Sequence, residues 1–222
     1  MFCNKCGKRI PEESIYCNHC GNKINILIQH EDYNICENKA GDSLYENIDN
    51  FEYEILRRSF KPKKVKVLLI AESPPPVERR TFFYLAKSGV YIYTKTAFCR
   101  VYGECVNKDP DFLDFFKSKG CYLEDLSLLP SNIKEIKKNE EFHINGLSER
   151  IKNDSPESII IIGTQVGKLI KEAVRLSGIL EKINKDLIYE VPFAGTGHQN
   201  KYMDKVEVAL QKLISKKCWN NK

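Results

Sequence analysis

The sequence predicts an α/β fold: a three-layer α/β/α domain with a central four-stranded parallel sheet, preceded by a small cysteine-rich module. Two observations support this prediction. Apolar runs alternate with amphipathic segments from residue 63 onward, a pattern typical of parallel strands joined by helices. Four of the nine cysteines lie within residues 1–24, in two closely spaced pairs.

The composition of the chain is that of a globular protein. Its 222 residues suffice for one α/β domain and a small appendage, and 42% of them are hydrophobic and 29% charged. No segment approaches the roughly 18–20 apolar residues of a membrane helix, and the N-terminus has no apolar core typical of a signal peptide. We therefore expect a soluble cytoplasmic protein with reduced thiols and no membrane contact. The net charge of +5 permits a phosphate-rich partner without requiring one.

The cysteines of residues 1–24 have the spacing of a metal site, with two CxxC pairs formed by Cys3, Cys6, Cys17 and Cys20. Each CxxC turn brings two thiolates to one ion, and two such turns complete a closed tetrahedron. The segment resembles the zinc ribbons found at the ends of many prokaryotic proteins. We expect one structural zinc ion, with iron on the same ligands as the alternative. Because a closed site has no open position for catalysis, the ribbon is expected to stabilise the fold or to dock a protein partner.

Residues 25–62 are interpreted as a helical connector between the ribbon and the α/β domain, which we place at residues 63–217. Apolar residues recur within the connector at helical spacing, at Leu44, Ile48, Phe51 and Ile55. A basic run from Arg57 to Lys66 follows them.

Four apolar runs are predicted to be the strands of the sheet. They cover residues 65–71, 121–126, 158–163 and 187–191. Two of them consist almost entirely of Val, Ile and Leu, which is typical of strands covered on both faces. Three helices are predicted among and after them: Asp109 and Pro110 begin the first, Thr164 caps the second, and the third carries apolar residues from Met203 to Ile214.

The loops after the first and last strands hold the candidate catalytic residues, because ligands bind at the carboxyl ends of strands in open parallel sheets. Glu72 is the first residue after the first strand, and three prolines behind Ser73 stiffen the loop. Its carboxylate could orient water or accept a hydrogen bond from a ligand; a solvated glutamate beside a stiff turn is the alternative. After the last strand, His198 is followed by Gln199 and Asn200, and its ring could protonate a ligand near neutral pH or be purely structural.

Two other segments point to different chemistry. The loop Gly163–Lys168 looks like a phosphate loop, but its spacing is one residue short of the GxxxxGK[ST] pattern, which argues against an NTPase and favours a strand-to-helix turn. Phe82 and Phe83 follow two arginines, and aromatic rings beside arginines can stack on bases. Core filling is the alternative for these rings, and for Tyr91 and Tyr93 it is the preferred interpretation.

Together these segments resemble the uracil-DNA glycosylase superfamily over about residues 63–215. The first motif of the family follows the first strand, where this chain has Ala71, Glu72, Ser73, Pro74 and Pro75. A strand that ends in a base-reading residue corresponds to CYLEDL, which places Asp125 at that point. The strand, glycine and helix of ESIIIIGTQVGKLI look like the next family element, and the catalytic histidine of the family corresponds to His198.

The resemblance implies that the protein binds DNA or a nucleobase and hydrolyses an N-glycosidic bond, after a base has been extruded into a pocket. It implies the following roles: Glu72 at the water or the sugar, Phe82 or Phe83 stacked on the base, Asp125 reading the base, and His198 stabilising the leaving group. Ser73, Gln199 and Asn200 would add contacts to the substrate. An ionised Asp125 accepts hydrogen bonds but does not donate them, so it suits an exocyclic amine better than the carbonyl of uracil.

Two other functions stay open at this point. In the first, the same cleft binds a nucleotide or nucleic-acid end without catalysis, the zinc ribbon recruits a protein partner, and the basic run from Arg57 to Lys66 contacts single-stranded nucleic acid or DNA. In the second, the protein is a hydrolase of a small nucleoside-like metabolite and the ribbon only stabilises it.

Overall fold

The computed structural model describes residues 48–76, 79, 81–103, 111–195 and 197–215, without the side chains of residues 48–52 and 111. Over these residues the protein is an α/β fold with a four-stranded parallel sheet and seven α-helices. The predicted zinc ribbon at residues 1–24 and most of the predicted connector lie outside the described residues. No helix of the described part is both long and apolar enough to cross a membrane.

The sheet contains four strands in the spatial order β2-β1-β3-β4, and all neighbouring strands are parallel. The strands are β1 Val67–Ala71, β2 Cys121–Asp125, β3 Ser158–Ile162 and β4 Ile188–Val191. Each of them lies within one of the four predicted runs, so the strand prediction is confirmed. Val67 of β1 is paired with Cys121 on one side and with Ser158 on the other, which brings the carboxyl ends of the strands to one edge.

The two central strands are apolar because they are buried along their whole length. Every residue of β1 and β3 is buried, and Ile159 to Ile162 are at most 1% exposed. Strand β2 is an outer strand of the described sheet, and a side chain pairs with its outer edge at one residue. The Tyr84 hydroxyl donates to the Leu123 carbonyl oxygen at 3.0 Å and accepts from the Leu123 amide at 2.8 Å, so neither backbone group is left unpaired.

The described part of the chain contains seven α-helices, in chain order α1 Ile48–Ser59, α2 Gly89–Tyr102, α3 Asp111–Ser118, α4 Ile133–Lys138, α5 Glu140–Asp154, α6 Gly167–Leu176 and α7 Gln199–Ser215. Helices α3, α6 and α7 lie where the sequence predicts helices. The predicted cap of α6 is wrong: Val166 occupies the N-cap position without a side-chain hydrogen bond, and Thr164 is exposed in the preceding turn. That turn follows directly on β3, and the buried Val166 side chain anchors it.

Helix α1 lies within the segment interpreted as a connector, yet it belongs to the core of the α/β domain. Tyr53 and Leu56 are 5% and 2% exposed. The Tyr53 ring stacks on Phe82 with ring centroids 4.3 Å apart. Arg57 follows Leu56 directly in the chain and is completely buried.

Candidate functional site

A cavity of about 930 Å³ opens at the carboxyl edge of the sheet. The chain passes from β1 outward to β2 and then returns across β1 to β3, so the loops after β1 and β3 leave the sheet in opposite directions. Ligand sites of open parallel sheets form in the crevice that such a reversal creates. Residues from the loops after β1, β3 and β4, and from the end of β2 and its loop, all line this cavity.

The loop after β1 places Glu72 in the cavity wall. Its backbone is fixed, since the Glu72 carbonyl oxygen accepts a hydrogen bond from the Ser127 amide at 3.0 Å. The side chain is half-buried, and burial raises the pKa of the Glu72 carboxyl. No described residue donates a hydrogen bond to this carboxylate or forms an ion pair with it. Glu72 is therefore a positioned carboxylate whose oxygens are available to water or a ligand.

Ser73 lines the same cavity, but its hydroxyl is already engaged. The Oγ atom donates to the Ser131 carbonyl oxygen at 2.8 Å, which ties the loop after β1 to the loop after β2. Ser73 therefore holds the shape of the wall, and its direct contact with a substrate stays a prediction.

Asp125, the last residue of β2, lies at the base of the cavity and is paired with Arg57. It is 2% exposed, and its Oδ2 atom lies 2.5 Å from Arg57 Nη2. Arg57 Nη1 contacts Glu124 at 3.2 Å and Glu54 at 2.9 Å. Burial raises the pKa of Asp125 to about 6, although the positive charge of Arg57 opposes this rise.

The Arg57 guanidinium stays charged in this site. Burial alone would lower the pKa of Arg57. The surrounding carboxylates raise this pKa well above its usual range, and Glu124 and Asp125 have a larger effect than Glu54. In the sequence, Arg57 is the first residue of the basic run that one alternative function assigns to contact with nucleic acid. The signal that identifies it is helical spacing, because Tyr53, Leu56 and Phe60 form an apolar face on which Arg57 lies.

The rest of the basic run is largely neutralised by acidic residues of the domain. Arg58 pairs with Glu54 at 2.7 Å and Lys61 with Asp154 at 2.5 Å. Lys64 pairs with Glu157. These lysines precede β1 and therefore lie toward the edge of the sheet opposite the cavity. The run is thus not a free basic surface beside the site.

His198 lines the cavity from the loop after β4, which brings it together with Glu72. Its backbone begins helix α7: the His198 carbonyl oxygen accepts from the Tyr202 amide at 2.9 Å. The side chain is exposed and makes no hydrogen bond to a described residue. Gln199 and Asn200 form the first turn of α7 and are not among the described residues that line the cavity.

Phe82 and Phe83 line the cavity while belonging to an aromatic cluster. They are 1% and 3% exposed. One side of the Phe82 ring is occupied by Tyr53, and the Arg57 guanidinium lies 5.4 Å from its centroid. Phe83 makes edge contacts with Tyr84 and Tyr91. Both rings are largely core residues, and stacking on a base would have to use the parts that face the cavity.

Several further polar residues line the cavity. Arg79 and Lys201 add positive charge, and Thr164 and Gln165 lie in the turn after β3. Among the described residues, neither Arg79 nor Lys201 has an ion-pair partner. Arg79 is one of the two arginines before Phe82 that the sequence associates with base stacking. Thr164 and Gln165 belong to the loop that looks like a phosphate loop, and their position after a strand end could have identified them, whereas nothing in the sequence singles out Lys201 from other surface cations.

The match that suggests metal binding lies in the N-terminal segment. Within the described ranges, no group of His, Cys, Asp and Glu side chains is arranged to hold a metal ion. Residues 2–24 match the family model of the zinc-ribbon domain, in agreement with the predicted ribbon. The four thiol donors in this match, Cys3, Cys6, Cys17 and Cys20, are a set that zinc prefers. No curated protein and no solved structure matches the chain.

Proposed function

We propose that the cavity binds a nucleobase of DNA or of a single strand, and that the protein hydrolyses the N-glycosidic bond of the bound nucleotide. In this proposal it is a divergent relative of the uracil-DNA glycosylase superfamily. The observation that supports it best is that Glu72, a positioned carboxylate without a described partner, and His198 line one cavity at the carboxyl edge of a parallel sheet.

The charges around the cavity suit a nucleotide. Its volume of about 930 Å³ lies within the range of small-molecule sites. Asp125 and Phe83 belong to the cavity wall, so part of this wall is acidic and part is aromatic. Such a wall can bind an apolar ring with polar edges. Arg79 and Lys201 supply cations for phosphate oxygens.

The proposed reaction uses Glu72 as the base and His198 as the group that stabilises the leaving base. Glu72 accepts a proton from a water molecule, whose oxygen forms a bond to C1′ of the sugar. The bond between C1′ and the base nitrogen breaks, and its electron pair stays on the base. The His198 ring donates a hydrogen bond or a proton to that anion. The raised pKa of Glu72 makes it a stronger base than an exposed glutamate.

We further propose that the domain has three layers and that the ribbon holds one structural zinc ion on its four cysteines. Right-handed connections between parallel strands would put α2 and α3 on one face of the sheet and α5 and α6 on the other. The packing of α5 on α6 and of α2 on α7 supports this arrangement.

The test is release of bases from oligonucleotides that carry a panel of altered bases, detected as abasic sites. Glu72→Gln and His198→Ala should each reduce release by about 10²–10⁴-fold, the usual contribution of a general acid or base. Glu141→Gln and His143→Ala are matched controls, since both residues are on α5 and neither lines the cavity. Binding of the oligonucleotides without release of any base would remove hydrolysis from the proposal.

A second function is favoured by the zinc-ribbon match: the cavity binds a nucleotide or nucleic-acid end without catalysis, and the ribbon recruits a protein partner. This function predicts affinity that falls steeply with salt, since phosphate contacts release counterions. A third alternative is hydrolysis of a small nucleoside-like metabolite. Comparing a free nucleoside with a single-stranded oligonucleotide as ligand separates it from both functions, because only a metabolite hydrolase would prefer the free nucleoside.

A further inference from the structure

One oxygen of Asp125 is held by the protein, and the other is available to a ligand. Arg57 Nη2 donates to Oδ2 at 2.5 Å. No residue of the described part donates a hydrogen bond to Oδ1, and Oδ1 is not among the fully buried atoms that lack a partner. The backbone is fixed as well, since the Asp125 carbonyl oxygen accepts from Arg150 Nη2 at 2.7 Å. The position of Oδ1 is therefore set before a ligand arrives.

The direction of this oxygen follows from the strand. Side chains of a strand alternate between its two faces, so Leu123 and Asp125 share a face. Both of them line the cavity, whereas Glu124 between them does not. Asp125 is only 2% exposed, so a group that reaches Oδ1 must enter through the cavity. A ligand that leaves this desolvated acceptor unpaired loses more than one hydrogen bond is worth in water.

Asp125 is an acceptor in this surrounding at neutral and alkaline pH. Arg57 stays charged among three carboxylates, and its positive charge lies against Oδ2. A carbonyl oxygen of a ligand placed against Oδ1 would bring two hydrogen-bond acceptors together, and no hydrogen bond would form. An amino group would donate a charge-assisted hydrogen bond, which is about twice as strong as a neutral one.

We infer that the cavity selects bases that carry an exocyclic amino group, and that Asp125 Oδ1 is the specificity-determining acceptor of that group. The inference rests on the proposed binding of a nucleobase in this cavity. Cytosine and adenine present an amino group on their pairing edge, where uracil and hypoxanthine present a carbonyl oxygen. The base class is therefore cytosine- and adenine-like, including their modified forms that keep the amine.

The selectivity depends on pH, because a protonated Asp125 becomes a donor. Burial raises the pKa of Asp125 to about 6, so the carboxyl gains an O–H group as the pH falls below this value. The charged groups that face it are Glu54 and Arg57 of α1, Glu124 of β2 and Arg150 of α5. The preference for an amine should therefore weaken between pH 8 and pH 5.

The test measures binding of the full chain to thymine-only single strands with one central cytosine, uracil, adenine or hypoxanthine, since thymine has no amino group. At pH 8 we expect cytosine over uracil, and adenine over hypoxanthine, by about 10-fold to 100-fold, as one hydrogen bond to a charged group provides. Asp125→Asn keeps the side-chain volume and should remove or reverse both preferences. Asp204→Asn, at a residue paired with Arg100 outside the cavity, should leave them unchanged.

The pH dependence keeps the test decisive if the Asp125→Asn variant does not fold. The adenine preference of the unmodified protein should decrease at least several-fold at pH 5. Equal affinity for all four strands, a preference for uracil and hypoxanthine at pH 8, or a preference independent of pH would overturn the inference while base binding stands. If none of the strands binds measurably, the thymine-only strand included, the proposed function itself fails, and the inference with it.

Discussion

Replacing Arg57 by methionine should destabilise the protein far more than replacing its neighbour Arg58. Arg57 is completely buried and contacts the carboxylates of Glu54, Glu124 and Asp125 at 2.9, 3.2 and 2.5 Å. Methionine fills a similar volume but leaves Glu124 and Asp125 buried without their main counter-charge. Arg58 also pairs with Glu54, but its side chain is 59% exposed, which makes it a matched control.

The two losses differ in size because burial differs. Removing one partner of a buried ion pair costs about 3–5 kcal/mol, whereas an exposed pair contributes about 0–1 kcal/mol. The Arg57→Met loss should also grow with pH. Without the positive charge of Arg57, the pKa of Asp125 rises further above its usual value. The folded variant then binds protons that the unfolded chain does not, and stability is lost as the pH rises.

The assay is urea denaturation of both variants at pH 6 and pH 8, from which the free energy of unfolding is obtained. We expect Arg57→Met to lose about 3–5 kcal/mol at pH 8 and less at pH 6. A triple variant that also carries Glu124→Gln and Asp125→Asn should recover part of this loss, because it leaves no buried carboxylate on β2 without Arg57. Equal losses for Arg57→Met and Arg58→Met would refute the reasoning, as would a loss that does not depend on pH.

Three further predictions concern the Glu72 carboxylate, helix α1 and the ribbon. Glu72→Gln should stabilise the protein as the pH rises above 4.5, the ordinary pKa of a glutamate, because burial raises the pKa of Glu72 and its ionised form costs stability. Thermal unfolding of the variant and the unmodified protein at pH 4 and 8 checks this. Removing residues 1–47 should preserve a cooperative unfolding transition, whereas removing residues 1–62 should abolish it, since the loss of Tyr53, Leu56 and Arg57 from the core exceeds a typical total stability. One zinc per chain should be measured in the purified protein, and Cys3→Ser with Cys6→Ser should eliminate it; an unchanged zinc content would place the metal elsewhere.

The strands and the place of the cavity could be predicted because burial and topology leave clear patterns in the sequence. A strand covered on both faces is almost entirely apolar, so residues 67–71 and 159–162 stand out without knowledge of their neighbours. Parallel strands bring their following loops to one edge. Glu72 and His198, which are far apart in the chain, were expected in one cleft on this ground, and both line the cavity.

Helix α2 could not be predicted because its local preference opposes its structure. Its sequence GVYIYTKTAFCRVY is rich in β-branched and aromatic residues, which favour strands. The helix forms because Ser88 caps it and because its buried side, which includes Tyr91, Ala97 and Phe98, packs into the aromatic core. Tertiary packing outweighs propensity here.

The partner of Asp125 could not be predicted because it lies 68 residues away in the chain. An arginine in a basic run and an acidic residue at a strand end each have an ordinary local explanation. Only the packing of α1 beside β2 makes them a pair, and no pattern within either segment records it. The same reason explains why the sequence of the basic run does not show that Lys61 and Lys64 pair with residues near β3.

Hydrogen–deuterium exchange with and without a bound single-stranded oligonucleotide tests most directly whether the cavity is the site. The account predicts slower amide exchange at residues 163–165, 193–195, 197–198 and 131–132, which belong to the loops around the cavity. It also predicts that Glu72→Gln, which keeps the shape of the wall, retains this protection. Protection confined to residues 61–66 or to the ribbon, with unchanged exchange in the three loops, would contradict it.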